Sequence, residues 1–307
     1  ELFAHGARWL RADFHLHTPS DGHFESRDLD NARPAVWQDE WVGRLAEEQI
    51  HLGVVTNHNK FDLEEFKALR KRCRKRAIGL FPGVELSIRG GSGAVHILVV
   101  FDPETWIDNR ENRDFINRFL AAAFEQTANF ESDDVPCKWD LGTTLEKLEE
   151  HKKYGRDSFV VLAHVDDKNG AFHELGAGLR HQYNERFRDF VLGVQKARDK
   201  ENWRKLGQWI GSEWSPARLE GSDCKSLEQV GVAQQQNGES KAAYLKIGEM
   251  SFAALRLAVT MSEYRVRDTM PTERPGRIVS LGFTGGLLDG RTIKLSPEMT
   301  NVIGIRG

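Results

Sequence analysis

ADFHLHTPSDG, residues 12–22, decides the fold of this chain. Ala12 to Leu16 reads as a short strand, and His15 and His17 lie two apart at its end. Successive strand residues point to opposite faces, so these two imidazoles share one face and can converge on one ion. The pattern recurs along the chain. His58 follows the apolar run Leu52 to Thr56, Glu85 follows Gly79 to Phe81, and His96 lies in Val95 to Phe101. His164 follows Phe159 to Ala163, and Asp223 comes in a later loop. A single histidine of this kind is ordinarily a satisfied polar residue in a loop. Imidazoles and carboxylates gathered at so many strand ends are how a (β/α) barrel builds a metal cluster, because barrel chemistry collects at the carboxyl ends of strands. Neutral imidazole suits zinc, iron or manganese, and the carboxylates suit the harder ions of that set.

Between these strands the periodicity turns helical. Trp37, Trp41 and Leu45 mark one buried face. Asp62 and Glu65 read as a capping box opening a helix with the stripe Phe66, Leu69 and Cys73. Helical patterns run from Arg110 to Asn129 and from Thr143 to Lys153, the second with Thr143 and Glu146 as its box. Phe190 to Val194 is a further strand, and Ser251 to Ser262 a last amphipathic helix. Strands alternating with helices favour a parallel sheet or barrel. The expected fold class is therefore α/β: a parallel sheet or barrel over residues 1–266, followed by a short β-rich segment. Past Arg267 the texture changes, with Pro271, Pro275 and the Gly-rich FTGGLLDG (283–290) between the β-like runs Ile278 to Phe283 and Arg291 to Leu295.

Composition bounds the rest. A hydrophobic fraction of 39% with 29% charged residues describes a globular chain with a real core. The net charge of -3 gives no global push toward nucleic acid. No apolar run is long enough for a membrane span, no signal peptide opens the chain, and no membrane partner is expected. Three cysteines without a CxxC pair offer neither a disulfide framework nor a thiolate zinc site, which fits a reducing, cytoplasmic compartment. The chain opens on Glu1 and stops at Gly307, as a cut chain does. KALRKRCRKR (67–76) is read as the solvated outer face of a barrel helix, with contact to a phosphate backbone as the alternative. His173 and His181 are read as surface residues, Trp37 and Trp41 as core, and Trp203, Trp209 and Trp214 as either core or base-stacking residues. Cys224, beside Asp223, is read as a packed thiol.

ADFHLHTPSDG, followed in order by TNHN (56–59), PGVELSI (82–88), VHILVVF (95–101), VLAHVDD (161–167) and GSDCKSLEQVG (221–231), resembles the polymerase and histidinol phosphatase (PHP) superfamily. The similarity extends over residues 10 to about 262. It implies a distorted (β/α)7 barrel, two or three divalent ions (Mn, Zn or Fe) and phosphoester hydrolysis by a metal-activated water. Carried over by motif, His15, His17, His58, Glu85, His96, His164 and Asp223 are metal ligands, and either Asp21 or His23 supplies one more. His164, Asp223 and Lys225 are the catalytic candidates. Two positions depart from the pattern. Asn57 stands where the family has a carboxylate, and Lys225 stands where it has a closing histidine. A protonated ammonium has no lone pair, so Lys225 is expected either to mark a lost ligand or to bind substrate phosphate as a point charge.

The last stretch, LSPEMTNVIGIRG (295–307), reads as a strand running into Gly304, the position of the first glycine of a GxxxxGK[ST] phosphate loop. With RIVSLGF and GRTIKLSP before it, it resembles the opening of an ABC-type, SMC/Rad50-like ATPase. Residues 267–307 are therefore expected to be a linker and the first strands of a truncated ATPase domain, in a longer protein that binds ATP and continues with Gly-Lys-Ser/Thr. Nucleic-acid processing, DNA repair or defence are the settings this fusion implies, with a phosphoester substrate that includes nucleotide or nucleic acid and with nuclease activity. The rival expectation is a catalytically degenerate PHP module that binds nucleotide or nucleic acid and regulates the ATPase.

Overall fold

The HLH segment ends a strand that is longer than its apolar run suggests. The structure, a computed structural model, describes residues 2–295 apart from 5, 26–28, 30–32, 92, 112, 132–134, 212, 213, 237, 238 and 272–277. The phosphate-loop reading at Gly304 lies outside the described residues. β1 (Arg8–Leu16) leads to α1 (Pro34–Glu47), and β2 (Leu52–Val55) to α2 (Leu63–Lys75). β3 (Gly79–Arg89) and β4 (Ala94–Phe101) follow, then α3 (Pro103–Trp106), α4 (Phe115–Ala123) and α5 (Leu141–Lys153) before β5 (Ser158–Leu162). The short helices α6 (Ala171–Glu174), α7 (Leu179–Gln182) and α8 (Glu185–Phe190) precede β6 (Val191–Val194). α9 (Lys200–Ile210) precedes β7 (Ala217–Arg218), and a hairpin of β8 (Gln234–Gln236) and β9 (Glu239–Lys241) precedes β10 (Ala243–Ile247). α10 (Phe252–Thr260), α11 (Ser262–Arg265) and β11 (Val266–Arg267) end the main sheet, and β12 (Ser280–Gly282) pairs with β13 (Thr292–Lys294) in a separate exposed hairpin.

The sheet order is β11-β10-β1-β2-β3-β4-β5-β6-β7, and β11 comes back beside β7, so the nine strands curl into a nearly closed, TIM-like barrel. It is not wholly parallel. β1-β2-β3 and β5-β6-β7 are parallel, but β4 is antiparallel to both neighbours and β10 is antiparallel to β1. Residues 90–93 are too few for the crossover that a parallel β3–β4 pair would need. This reversal matters for the site, because β4 begins at the end of the barrel where β3 and β5 finish.

Helix boundaries follow their caps. The helix expected over Arg110 to Asn129 is confined to α4, whose N-cap Asp114 accepts the Asn117 N–H. The cap of α5 is Asp140, accepting from Thr143 N, rather than Thr143 itself. Asp62 caps α2 through the Glu65 N–H as expected, but the Glu65 carboxylate does not return the bond and instead takes the Thr18 hydroxyl.

Two apolar layers flank the sheet. Trp41, Leu45, Phe66, Leu69, Leu120, Leu145 and Phe187 pack the outer helices against Val84, Leu86, Ile97 and Val99. On the inner face Leu10, Ala12, Phe14, Val54, Leu98, Val100, Phe159 and Val161 meet α10 through Phe252, Leu255 and Val259. Burying one aromatic side chain such as Trp41 removes about 150–250 Å2 from water, of order 4–6 kcal/mol before ordering costs. Trp203, Trp209 and Trp214 are partly buried against the outer layer. Among the described residues, no helix is long and apolar enough to cross a membrane.

Candidate metal centre

Leu10, Ala12 and Phe14 belong to the inner layer, yet Leu16 belongs to the outer one. Strict two-residue alternation forbids that, and the β1–β2 register duly shifts between Asp13 and Leu16. The irregularity changes the parity of the strand, so His15 and His17 take the inner side at its end. Trp41 fixes the turn that follows by donating its indole N–H to the His17 carbonyl at 3.1 Å.

Glu85 stands at the middle of the cluster and is fully buried. Its Oε2 lies 2.7 Å from His15 Nε2, 3.0 Å from His58 Nε2 and 3.6 Å from His17 Nε2. Its Oε1 lies 3.0 Å from His96 Nδ1 and 3.1 Å from His164 Nε2. Because β4 is reversed, His96 near its start meets Glu85 in the long β3. Asp21, also buried, reaches His17 Nδ1 at 2.9 Å and His58 Nδ1 at 3.0 Å through Oδ2. Asp223 approaches from the far end of the chain, with Oδ1 3.4 Å from His17 Nε2 and 3.9 Å from His15 Nε2. Its loop lies directly against β1. A Cβ on Gly221 would sit 2.5 Å from the His15 Cβ, so only glycine allows this approach.

The charges are tightly coupled. Burial works against a charged Glu85, but the His15 and His58 imidazoles beside it hold its pKa well below the carboxylate range. Asp21 is likewise lowered, with His17 and His58 outweighing burial. At Asp223 burial is outweighed by His15, His17 and Lys196, and its pKa is also lowered. The imidazoles respond in the opposite sense. His15 is raised by Glu85 and Asp223 against burial, and His58 is raised to about 10, burial being overcome by Glu85 and Asp21.

This donor set fits divalent cations. Three carboxylates packed among five imidazoles demand positive charge, supplied either by protons on the rings or by metal. Both ring nitrogens of His17 are buried without a hydrogen bond, although carboxylate oxygens lie close to each. Close but misaligned lone pairs are what a shared ion would satisfy. Three three-donor groups have their ligand atoms within 4.8 Å of one another: His15–His17–Glu85, His17–Asp21–His58 and His58–Glu85–His96. His164 and Asp223 flank them.

The remaining sequence candidates fall outside this ring. His23 is partly exposed; its ring packs edge-on against His58 at 4.7 Å and its Nδ1 lies 3.4 Å from Asp21. Of the two alternatives, Asp21 is the one enclosed by the cluster. The Lys225 side chain is exposed, while its backbone carbonyl accepts from Glu25 N. The lysine beside Asp223 is Lys196, with Nζ 2.9 Å from Oδ2. Asn57 bonds Thr18 and Ser20 rather than the imidazoles. Cys224 is a buried thiol against the His17 backbone, with its pKa pushed up by burial. His173 and His181 are exposed.

Three residues of the site carry no ligand signal in the sequence. Asp13 accepts the backbone N–H groups of His15 and Ser222, tying β1 to the Asp223 loop. Gln195 Oε1 lies 2.8 Å from His15 Nδ1, and Lys196 follows it at the end of β6. The one available hint was their place directly after a strand.

No family model matches this sequence, and no curated protein matches it. Several solved structures are similar in backbone, three of them as follows. A two-domain protein from Bacteroides vulgatus, containing a predicted PHP-like metal-dependent phosphoesterase, is 14% identical with a TM-score of 0.48, over 85% of this chain and 64% of that one. This chain thus spans under two thirds of that protein. A candidate metal-dependent phosphoesterase from Bifidobacterium adolescentis is 14% identical with a TM-score of 0.46, over 81% and 96%. An amidohydrolase from Chromobacterium violaceum, with bound sulfate and no metal, is 15% identical with a TM-score of 0.43, over 73% and 91%. At such identities it is the side chains of this chain that carry the chemistry.

Proposed function

We propose that this chain is a metal-dependent hydrolase that cleaves phosphoester bonds. The convergence of five imidazoles and three carboxylates around the buried Glu85 carries the reading. His15, His17, Asp21, His58, Glu85, His96, His164 and Asp223 would hold two or three ions of the manganese, zinc or iron type. When bound, such ions supply Lewis-acid charge and lower the pKa of water.

The protein's own part is orientation. With its proton on Nδ1, His15 would donate to Gln195 Oε1 and keep its Nε2 lone pair, on the Glu85 side, for a bound ion. Asp13 locks the backbone of that histidine to the loop bearing Asp223. Lys196 grips Oδ2 of Asp223 and leaves Oδ1 facing His15 and His17. Trp41 and Cys224 close the floor against the His17 backbone, which keeps bulk water from that side. The choice of phosphoester over amide rests on the sequence resemblance over residues 10 to about 262.

Elemental analysis after manganese or zinc reconstitution should find metal retained, and His15→Ala with His17→Ala should abolish phosphomonoester or phosphodiester hydrolysis in a protein that still melts cooperatively. Undiminished turnover in the double variant would remove the site. Nuclease action and coupling to an ATPase are finer proposals, resting on the sequence of residues 267–307 and on the basic face of α2. They are tested by asking whether ATP alters hydrolysis of a DNA or RNA substrate in a longer chain.

A further inference from the structure

The cluster is not equally enclosed on all sides. His15, His17, Asp21 and Glu85 are sealed, whereas Asp223, His164 and Lys196 keep 17%, 11% and 10% of their side chains exposed. The open arc of the centre is therefore made by the ends of β5 and β6 and the loop after β7. Each of these three residues also has left-handed backbone, with φ of +21° at His164, +51° at Lys196 and +52° at Asp223. Left-handed backbone at a non-glycine residue is strained and persists where the surroundings demand a particular side-chain direction.

Of the three residues, only Lys196 carries a fixed positive charge. Lysine is almost never buried without a partner, and here the Nζ pairs with Asp223 Oδ2 at 2.9 Å while Asp167 Oδ2 stands off at 3.7 Å. That pairing takes an oxygen from a metal-ligand carboxylate, a poor arrangement if ion binding were the residue's whole purpose. An ammonium has three donors, and Asp223 uses one. Asp167 lies beyond hydrogen-bond reach and is 55% exposed, so solvent screens it. The remaining donor capacity of Lys196 lies at the open arc.

We propose that Lys196 is the anion-binding residue of the site. Its ammonium receives a non-bridging phosphoryl oxygen of a substrate entering between His164 and Asp223, and remains paired to Asp223. This inference rests on the phosphoester reading and deepens it by naming the charge that recognises the substrate. A neutral amide or ester would offer the remaining donors of that ammonium no anionic oxygen.

Inorganic phosphate is the probe. Its affinity for the zinc- or manganese-reconstituted protein should fall roughly ten- to a hundredfold in Lys196→Met, the loss expected for one charge-assisted hydrogen bond. The comparison is made at matched metal content, because Lys196 also holds Asp223, and Lys196→Arg should restore most of the affinity. In the unmodified protein, phosphate should protect Lys196 from acetylation by acetic anhydride, read by peptide mapping, which decides the matter even if the methionine variant does not fold. Wild-type phosphate affinity in a folded Lys196→Met, or no protection of Lys196, would overturn the inference. Wild-type protein that hydrolyses phosphoesters alongside either result would keep the hydrolase reading while losing Lys196. Wild-type protein that holds metal and hydrolyses no phosphoester would instead overturn the reading itself.

Discussion

Gly221→Ala tests whether the closing loop positions the metal centre. The added methyl would meet the His15 Cβ and backbone nitrogen at 2.5 Å and Asp13 Oδ1 at 2.8 Å. Carbon contacts are comfortable only at about 3.5–4.0 Å, so the loop must retreat by roughly 1 Å. Neither wall can yield easily, because His15 is held by Glu85 and Gln195, and the Asp13 carboxylate is held by two backbone N–H groups. Overpacking of this kind costs about 1–3 kcal/mol. For a chain of this size that corresponds to a melting temperature lower by roughly 2–5 °C. The retreat also draws Asp223 away, since its N–H bonds the His15 carbonyl at 2.8 Å and its Oδ1 starts 3.4 Å from His17. Melting curves and elemental analysis should therefore show a modest loss of stability together with a larger loss of bound metal. An alanine variant with unchanged melting temperature and metal content would refute the idea that this contact sets the ligand.

Two further outcomes are expected. Asp21→Ala should deplete bound metal, whereas His23→Ala should leave it near the wild-type level, because Asp21 lies between His17 and His58 while the His23 side chain is 35% exposed; the reverse result would move the ligand to His23. In chelator-treated protein the His58 pKa is raised from 6.5 to about 10, so the stability it contributes is complete below 6.5 and is lost as pH climbs through about 10. The melting temperature of the metal-free protein should fall over that window, while metal retention should improve with rising pH because only neutral imidazole ligates; a flat metal-free profile would count against the charged pair.

The residues that gather around Glu85 were legible in the sequence because each is a residue type with few other reasons to end a strand. HLH, NHN and the Glu85 and His96 motifs name themselves before any coordinates. The last motif was harder. Reading Asp223-Cys224-Lys225 as an extended pair of positions puts Lys225 beside the metal, but the left-handed backbone at Asp223 turns the chain, and Lys225 faces solvent. Lys196 was hidden because a lysine after a short strand has no pattern that distinguishes it from a surface charge. Asp13 was hidden by its hydrophobic neighbours, since an aspartate within a strand carries no sign of which backbone groups it will bind. The reversal of β4 had a usable signal in residues 90–93, too short a link for a helix, but apolar runs themselves carry no direction. The start of α5 was misjudged because Asp140, rather than Thr143, took the capping role, and that of α4 because Asp114 caps it four residues after Arg110.

The tight β3–β4 hairpin also bears on the order in which the centre comes together. Glu85 and His96 are eleven residues apart along the chain and meet across neighbouring antiparallel strands. Docking β2 adds His58, and these three already form one of the three-donor groups. Asp223, by contrast, must return to His15 across most of the chain. Local contacts close with little loop entropy, and distant ones close late. A nascent chain would therefore have its first three-donor group assembled once residues 52–101 have folded, and the C-terminal half would be added to a group already in place.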